Sequence, residues 1–66
     1  MKITLNGETT VVPEHTTAFE LLDITGLAGK RVAIEINCEI VPRSKYETHS
    51  LQTDDKIEIV RAIGGG

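Results

Sequence analysis

The sequence predicts a single α+β domain in which one helix covers one face of a small β-sheet. Segments in which polar and apolar residues alternate, as in half-buried strands, occur near both ends of the chain and in its middle. One further segment has the 3.6-residue apolar period of an amphipathic helix. The predicted order of elements is strand, strand, helix, strand, short strand, strand. A helix that follows a hairpin in this way packs on the sheet that the remaining strands complete.

The first hairpin is predicted around Asn6-Gly7, which follows the alternating segment Lys2–Leu5. A type I′ turn needs positive φ at both central residues, and Asn-Gly is the pair that adopts it most readily. The return strand is predicted over residues 8–12, with Leu5 opposite Glu8. This register places Thr10 and Val12 on the inner face of the sheet.

The helix is predicted over residues 17–25. Thr17 and Glu20 have the spacing of a capping box, in which each side chain bonds the other residue's backbone N–H. Gly26 stands where a left-handed residue closes a Schellman motif. The face that we expect to pack on the sheet carries Ala18, Leu21, Leu22 and Thr25.

The second half of the chain supplies the remaining strands. Val32–Ile36 alternates and is rich in β-branched residues, which favours a strand. A turn is predicted at residues 37–39 and a very short strand at 40–41. The Ser-x-x-Glu spacing over residues 44–47 predicts a second capping box on a single helical turn. The last strand is predicted over Lys56–Arg61, so the domain covers residues 1–61.

Composition excludes several classes of function. The seven basic and ten acidic residues are interspersed and give a net charge of −3, without the basic patch of a nucleic-acid-binding protein. Cys38 is the single cysteine, so neither a disulfide within the chain nor a cysteine-based metal site is expected, even with His15 and His49. No membrane span or export signal is expected either. These features are typical of a cytoplasmic domain without a bound metal or cofactor.

The tail, residues 62–66, is the most informative segment. Half of the six glycines occupy Gly64, Gly65 and Gly66, although glycine loses more conformational freedom on ordering than any other residue. We therefore expect a flexible tail that extends about 17 Å at ~3.3–3.6 Å per residue. Its reactive group is the α-carboxylate of Gly66, which becomes an acyl donor once it is activated, for example as an adenylate. The competing interpretation is an incidental glycine ending.

Taken together, the segments in this order and length resemble the ThiS family, the ubiquitin-like sulfur carriers of thiamin biosynthesis. The resemblance spans nearly the whole chain, and the related small subunit of molybdopterin synthase shares the glycine ending in a longer chain. The segments that carry it are Met1–Gly7, Thr17–Leu22, Val32–Asn37, Ile40–Arg43, Asp55–Val60 and Gly64–Gly66.

The resemblance implies a β-grasp fold with strand order 2-1-5-3-4 and a non-catalytic carrier. It implies that a ThiF-like adenylating enzyme consumes ATP to activate Gly66, that a cysteine desulfurase supplies sulfur, and that the resulting thiocarboxylate feeds the thiazole synthase ThiG. The chain departs from many relatives at Asp54, where they have glycine in the turn. The partner is expected to contact the apolar residues beside the tail, Val60, Ala62 and Ile63.

Alternatives remain open at this point. The alternatives to thiamin biosynthesis are a sulfur carrier for molybdopterin, tRNA thiolation or cysteine synthesis, and a β-grasp binding module that carries no sulfur. Phe19 lies off the apolar stripe of the helix and is assigned either to its edge or to a partner contact. Cys38 is interpreted as a turn residue rather than a nucleophile paired with His49, because Asn37 and Glu39 give it no electropositive setting.

Overall fold

The computed structural model describes residues 1–61, and the predicted tail, residues 62–66, lies outside the described residues. A five-stranded sheet carries one α-helix and a short 3₁₀ helix. The elements in chain order are β1 (Lys2–Leu5), β2 (Glu8–Val11), α1 (Ala18–Ile24), β3 (Val32–Ile36), β4 (Glu39–Val41), the 3₁₀ helix (Arg43–Lys45) and β5 (Lys56–Arg61).

The strands lie in the order β2-β1-β5-β3-β4. β5 runs through the centre of the sheet, parallel to β1 and antiparallel to β3, while the outer strands form antiparallel hairpins with their neighbours. The predicted α+β class and the strand order implied by the resemblance are confirmed. No helix within residues 1–61 has the length and apolar character needed to cross a bilayer.

The core lies between α1 and the inner face of the sheet. Leu21 on the helix and Ile3, Ile34 and Ile57 on three different strands are almost completely buried. The alternation in β3 and β5 confirms the predicted faces, since every second residue is buried. Because burial of one such side chain contributes about 1.5–3 kcal/mol, this small apolar layer is the main source of stability.

The local signals at the first turn and at both ends of α1 are confirmed. Asn6 and Gly7 have φ of 49° and 84°, as a type I′ turn requires. Thr17 and Glu20 form both bonds of the capping box. At the other end of α1, the Leu27 N–H donates to the Leu22 carbonyl at 2.8 Å, which closes the Schellman motif around Gly26.

Three predicted boundaries in the chain are wrong. β2 ends at Val11, one residue before its predicted end. β4 begins at Glu39, one residue before its predicted start, because a two-residue turn suffices to pair Glu39 with Ile36. The helical turn after β4 begins at Arg43, and its cap, Pro42, makes no side-chain bond, so the predicted serine cap does not form. The position of this helical turn depends on packing, because Tyr46, the residue that follows it, is buried in the core.

Candidate functional site

The base of the tail lies at one end of the central strand. Arg61, the last described residue, is paired with Val32 at the start of β3, and Val60 is paired with Ala33. β1 runs in the same direction on the other side of β5, but its last residue, Leu5, is paired with Ile57, four residues before Arg61. The five predicted tail residues, Ala62, Ile63, Gly64, Gly65 and Gly66, lie outside the described residues.

Asn6 holds the end of β5 that leads into the tail. Its backbone N–H donates to the Ile57 carbonyl at 2.8 Å, and its side-chain Oδ1 accepts from the Ile59 N–H at 2.8 Å. The side chain thus continues the pairing of β5 after β1 has turned away. The left-handed conformation of Asn6 is tolerated because asparagine adopts it at lower cost than most residues. Sequence reasoning missed this role, since the turn alone accounts for an Asn-Gly pair.

Asn37 has the equivalent role at the start of β5. It is also the first residue of a two-residue turn, with φ of 50°, and its Oδ1 accepts from the Lys56 N–H at 2.9 Å. Its amide nitrogen donates to Asp55 Oδ1 at 2.9 Å, and Asp55 Oδ2 accepts from the Gln52 N–H at 2.8 Å. β5 is therefore fixed at both ends by asparagine side chains from two different hairpins.

The outer face of the sheet carries a small apolar patch beside the tail. Val60 is 58% exposed, and its partner Ala33 is half-buried. Ile40, on the edge strand, is exposed on the same face. The structure thus confirms the predicted exposure of Val60, whereas its contact with a partner stays a prediction. The patch borders two facing carboxylates, since Glu35 is paired with Glu58.

The remaining candidate residues do not form a catalytic or metal site. Cys38 is exposed in the β3–β4 turn with φ of 72°, as expected for a turn residue. His15 is exposed and His49 is half-buried. Within residues 1–61, no group of three or more His, Cys, Asp or Glu side chains is arranged to hold a metal ion.

Comparison with known proteins decides the family. A sequence model of the ThiS family matches residues 2–66, which is nearly the whole chain and includes the glycine tail. The chain belongs to the ThiS family. One curated relative is the sulfur carrier protein ThiS of Escherichia coli. That protein is 32% identical over 66 residues, which cover all of both chains.

A solved structure agrees with this assignment. The crystal structure of the thiamine biosynthesis protein ThiS from Geobacter metallireducens superimposes with a TM-score of 0.87 at 29% identity, and the match covers both chains completely. The ThiS family assignment therefore rests on fold as well as sequence, and the β-grasp architecture implied by the resemblance is confirmed.

Another relative is much longer. A thiazole synthase from Magnetococcus marinus is 47% identical over all 66 residues of the chain, which span 20% of that protein's length. A ThiS-like segment therefore occurs within a protein whose name is that of a thiazole-forming enzyme. The two ThiS relatives, by contrast, have the length of the chain, and one is named a sulfur carrier protein and the other a thiamine biosynthesis protein.

Proposed function

We propose that the chain carries sulfur to thiazole formation as a thiocarboxylate on Gly66. A ThiF-like adenylating enzyme binds the tail and ATP, and the carrier itself binds no cofactor. The observation that supports this proposal most directly is the match of the ThiS family through residue 66, which includes the glycines that bear the reacting group. We place this cycle in the cytoplasm, where reducing conditions keep thiols and persulfides available.

The chemistry proceeds in balanced steps. The Gly66 carboxylate attacks the α-phosphorus of ATP and displaces pyrophosphate, which leaves an acyl-adenylate. The terminal sulfur of a persulfide, generated by a cysteine desulfurase, attacks the acyl carbon and displaces AMP. A thiol then reduces the resulting acyl disulfide and releases the thiocarboxylate. No residue of the carrier needs to act as an acid or base in these steps.

The contribution of the carrier is positioning. Because Asn6 and Asn37 bond β5 at its two ends, the base of the tail has a fixed origin in the centre of the sheet. Five fully extended residues span at most about 17 Å at ~3.3–3.6 Å per residue, and this length would let Gly66 enter a narrow site of another protein. The absence of Cβ atoms in Gly64 and Gly65 leaves room for the partner's groups on either side of the chain.

Two further enzymes follow from this proposal. The desulfurase supplies sulfur, and the thiazole synthase ThiG consumes it. The second partnership is supported by the thiazole synthase of Magnetococcus marinus, which contains a segment that matches the whole chain. When two proteins act in succession, their joining in one chain raises the effective concentration of each for the other.

We propose that the adenylating enzyme contacts the carrier through Val60, Ala62 and Ile63. Val60 is the described member of this set, and it is exposed on the outer face directly before the tail. An enzyme that holds Gly66 must also cover the base of the tail, so apolar side chains there lose water on binding. Each buried apolar side chain contributes to affinity in proportion to the area removed from water.

Mass spectrometry tests this function. The mass of the intact protein is measured first, to establish that it ends at Gly66. The protein is then incubated with the adenylating enzyme, ATP, a desulfurase, cysteine and a thiol reductant. The expected product is heavier by the difference between one sulfur and one oxygen, and fragmentation places the change at Gly66. A variant without Gly66 retains the fold and should show no gain. Sulfur delivery by that variant, or a change at Cys38 instead, would contradict the proposal.

A further inference from the structure

A groove opens between α1, the segment before β3 and the 3₁₀ helix. We call it the basic groove, defined by Phe19, Lys30, Arg31 and Arg43. Its floor is formed by Leu22 and Tyr46, both of which are buried in the core. Phe19 lies at the side of the groove and is 49% exposed, although burial of a large aromatic ring contributes strongly to the stability of a fold.

The charge of the groove is opposite to that of the chain. Three cations and one carboxylate, Glu47, line it, whereas the whole chain has a net charge of −3. Within residues 1–61, the ion pair that the structure shows is the one between the N-terminus and Glu14. None of the groove cations therefore forms an ion pair with a carboxylate of the described part of the chain, and with one carboxylate against three cations the groove keeps a positive charge.

The groove lies at the end of the sheet from which the tail departs. Arg31 immediately precedes Val32, whose partner on the neighbouring strand is Arg61. On the other side of β3, Ile34 is paired with Val41 at the end of β4, and Arg43 follows two residues later at the start of the 3₁₀ helix. The cations of the groove thus lie near the start of β3, whose first residue is paired with Arg61.

We infer that the basic groove docks an acidic segment of the adenylating enzyme, with an apolar side chain of that segment against Phe19. This inference rests on the proposed function, since it concerns the partner that takes the tail. An interface of ordinary size covers ~800 Å² on each protein. An enzyme that holds the tail within its ~17 Å reach therefore has to lie against this end of the carrier.

A protein ligand is favoured because the groove combines cations with apolar surface next to a segment that must enter the partner. Complementary charge of this kind speeds association and orients the two proteins. The same charges repel basic surfaces, so the groove also selects against wrong partners. A free nucleotide is the alternative ligand, and it is separated from the protein in the experiment below.

The test compares two doubly substituted carriers with the same change in net charge. Lys30→Glu with Arg43→Glu reverses the groove, and Lys2→Glu with Lys56→Glu reverses two exposed cations at the far end of β1 and β5. Circular dichroism and thermal melting establish that both are folded. The affinity of each for the adenylating enzyme is measured by calorimetry at low and high salt.

The groove variant should bind about tenfold or more weakly at low salt and lose most of the salt dependence, while the control should stay within about threefold of the unaltered chain. Phe19→Ala should weaken binding at both salt concentrations. Equal weakening of both double variants, or no weakening, would overturn the inference, as would failure of the unaltered chain to bind. ATP binding to the free carrier that the groove variant loses would assign the groove to a nucleotide instead.

Adenylation is measured separately by exchange of pyrophosphate into ATP. An enzyme that binds the carrier through the groove but never adenylates Gly66 would contradict the proposed function and leave the docking surface established. An enzyme that adenylates the groove variant with unchanged KM would contradict the docking surface and leave the function established. The two proposals are therefore distinguished by independent readouts.

Discussion

The side-chain oxygen of Asn6 accepts a hydrogen bond of 2.8 Å from the backbone N–H of Ile59, although the two residues are 53 positions apart in the sequence. One asparagine thereby serves the first hairpin and the last strand. Its left-handed backbone forms the turn, and its side chain occupies the pairing position that β1 vacates by turning. The strand that leads into the tail is held by this bond two residues before Arg61.

Replacement of Asn6 by glycine separates these two roles. Glycine keeps the positive φ but removes the acceptor, so the Ile59 N–H loses its partner. We expect the free energy of unfolding to fall by about 1 kcal/mol, the usual net value of such a bond. Urea denaturation measures the change. Asn6→Asp retains an acceptor and should stay close to the unaltered protein, whereas equal stability of Asn6→Gly and the unaltered protein would show that the bond contributes nothing.

Asp55 is predicted to be the most sensitive carboxylate. It is 8% exposed and accepts from Asn37 and from the Gln52 N–H. Asp55→Ala leaves both donors without this partner, so we expect a loss of about 1–3 kcal/mol in the free energy of unfolding. Asp54→Gly is the matched control, because it removes a neighbouring exposed carboxylate at a position with φ of 70° that suits glycine. A larger loss in the control than in Asp55→Ala would contradict the assignment.

The facing pair Glu35 and Glu58 is predicted to lower stability. Like charges directly opposite one another on neighbouring strands repel, so Glu58→Gln should raise the free energy of unfolding by about 0.2–1 kcal/mol. The gain should shrink in high salt, which screens the repulsion. Glu39→Gln removes the same charge opposite Ile36 and serves as the control. Thermal melts at two salt concentrations decide the matter, and a gain shared by both variants would point to net charge instead.

Val60 is predicted to contact the adenylating enzyme. Val60→Asp places a charge in the proposed interface and should raise KM for the carrier in pyrophosphate exchange by about tenfold or more, because a buried charge without a partner is costly. Val11→Asp is the matched control, since Val11 is 77% exposed and lies opposite Lys2, at the other end of the sheet. Both variants should melt near the unaltered protein. Equal KM values for the two would remove Val60 from the interface.

Much of the fold was predictable because its signals are local. The turn at Asn6-Gly7, the capping box of Thr17 and the alternation of Val32–Ile36 each involve residues within about five positions of one another, and all three are confirmed. The cap predicted for Ser44 failed on the same local reasoning. There the competing influence was nonlocal, since Tyr46 packs into the core with its hydroxyl 3.5 Å from the Val32 carbonyl oxygen.

The candidate site, too, was predictable from sequence only in part. The assignment of Gly66 as the reacting residue was made from sequence alone and stays a prediction, since residues 62–66 lie outside the described residues. The exposure of Val60 also followed from alternation along its strand. The strand order, by contrast, came from the family resemblance, since periodicity tells which face a strand buries but not which strand lies beside it.

By itself, the sequence determined the class of the domain, most of the places where the chain turns and the faces of the strands that are buried. Only the tertiary structure decided that asparagines from two hairpins fix the central strand and that Phe19, Arg31 and Arg43 meet around one groove. The physical reason is that propensity and periodicity act between near neighbours. Contacts between distant segments depend on how the hydrophobic core brings the strands and the helix together.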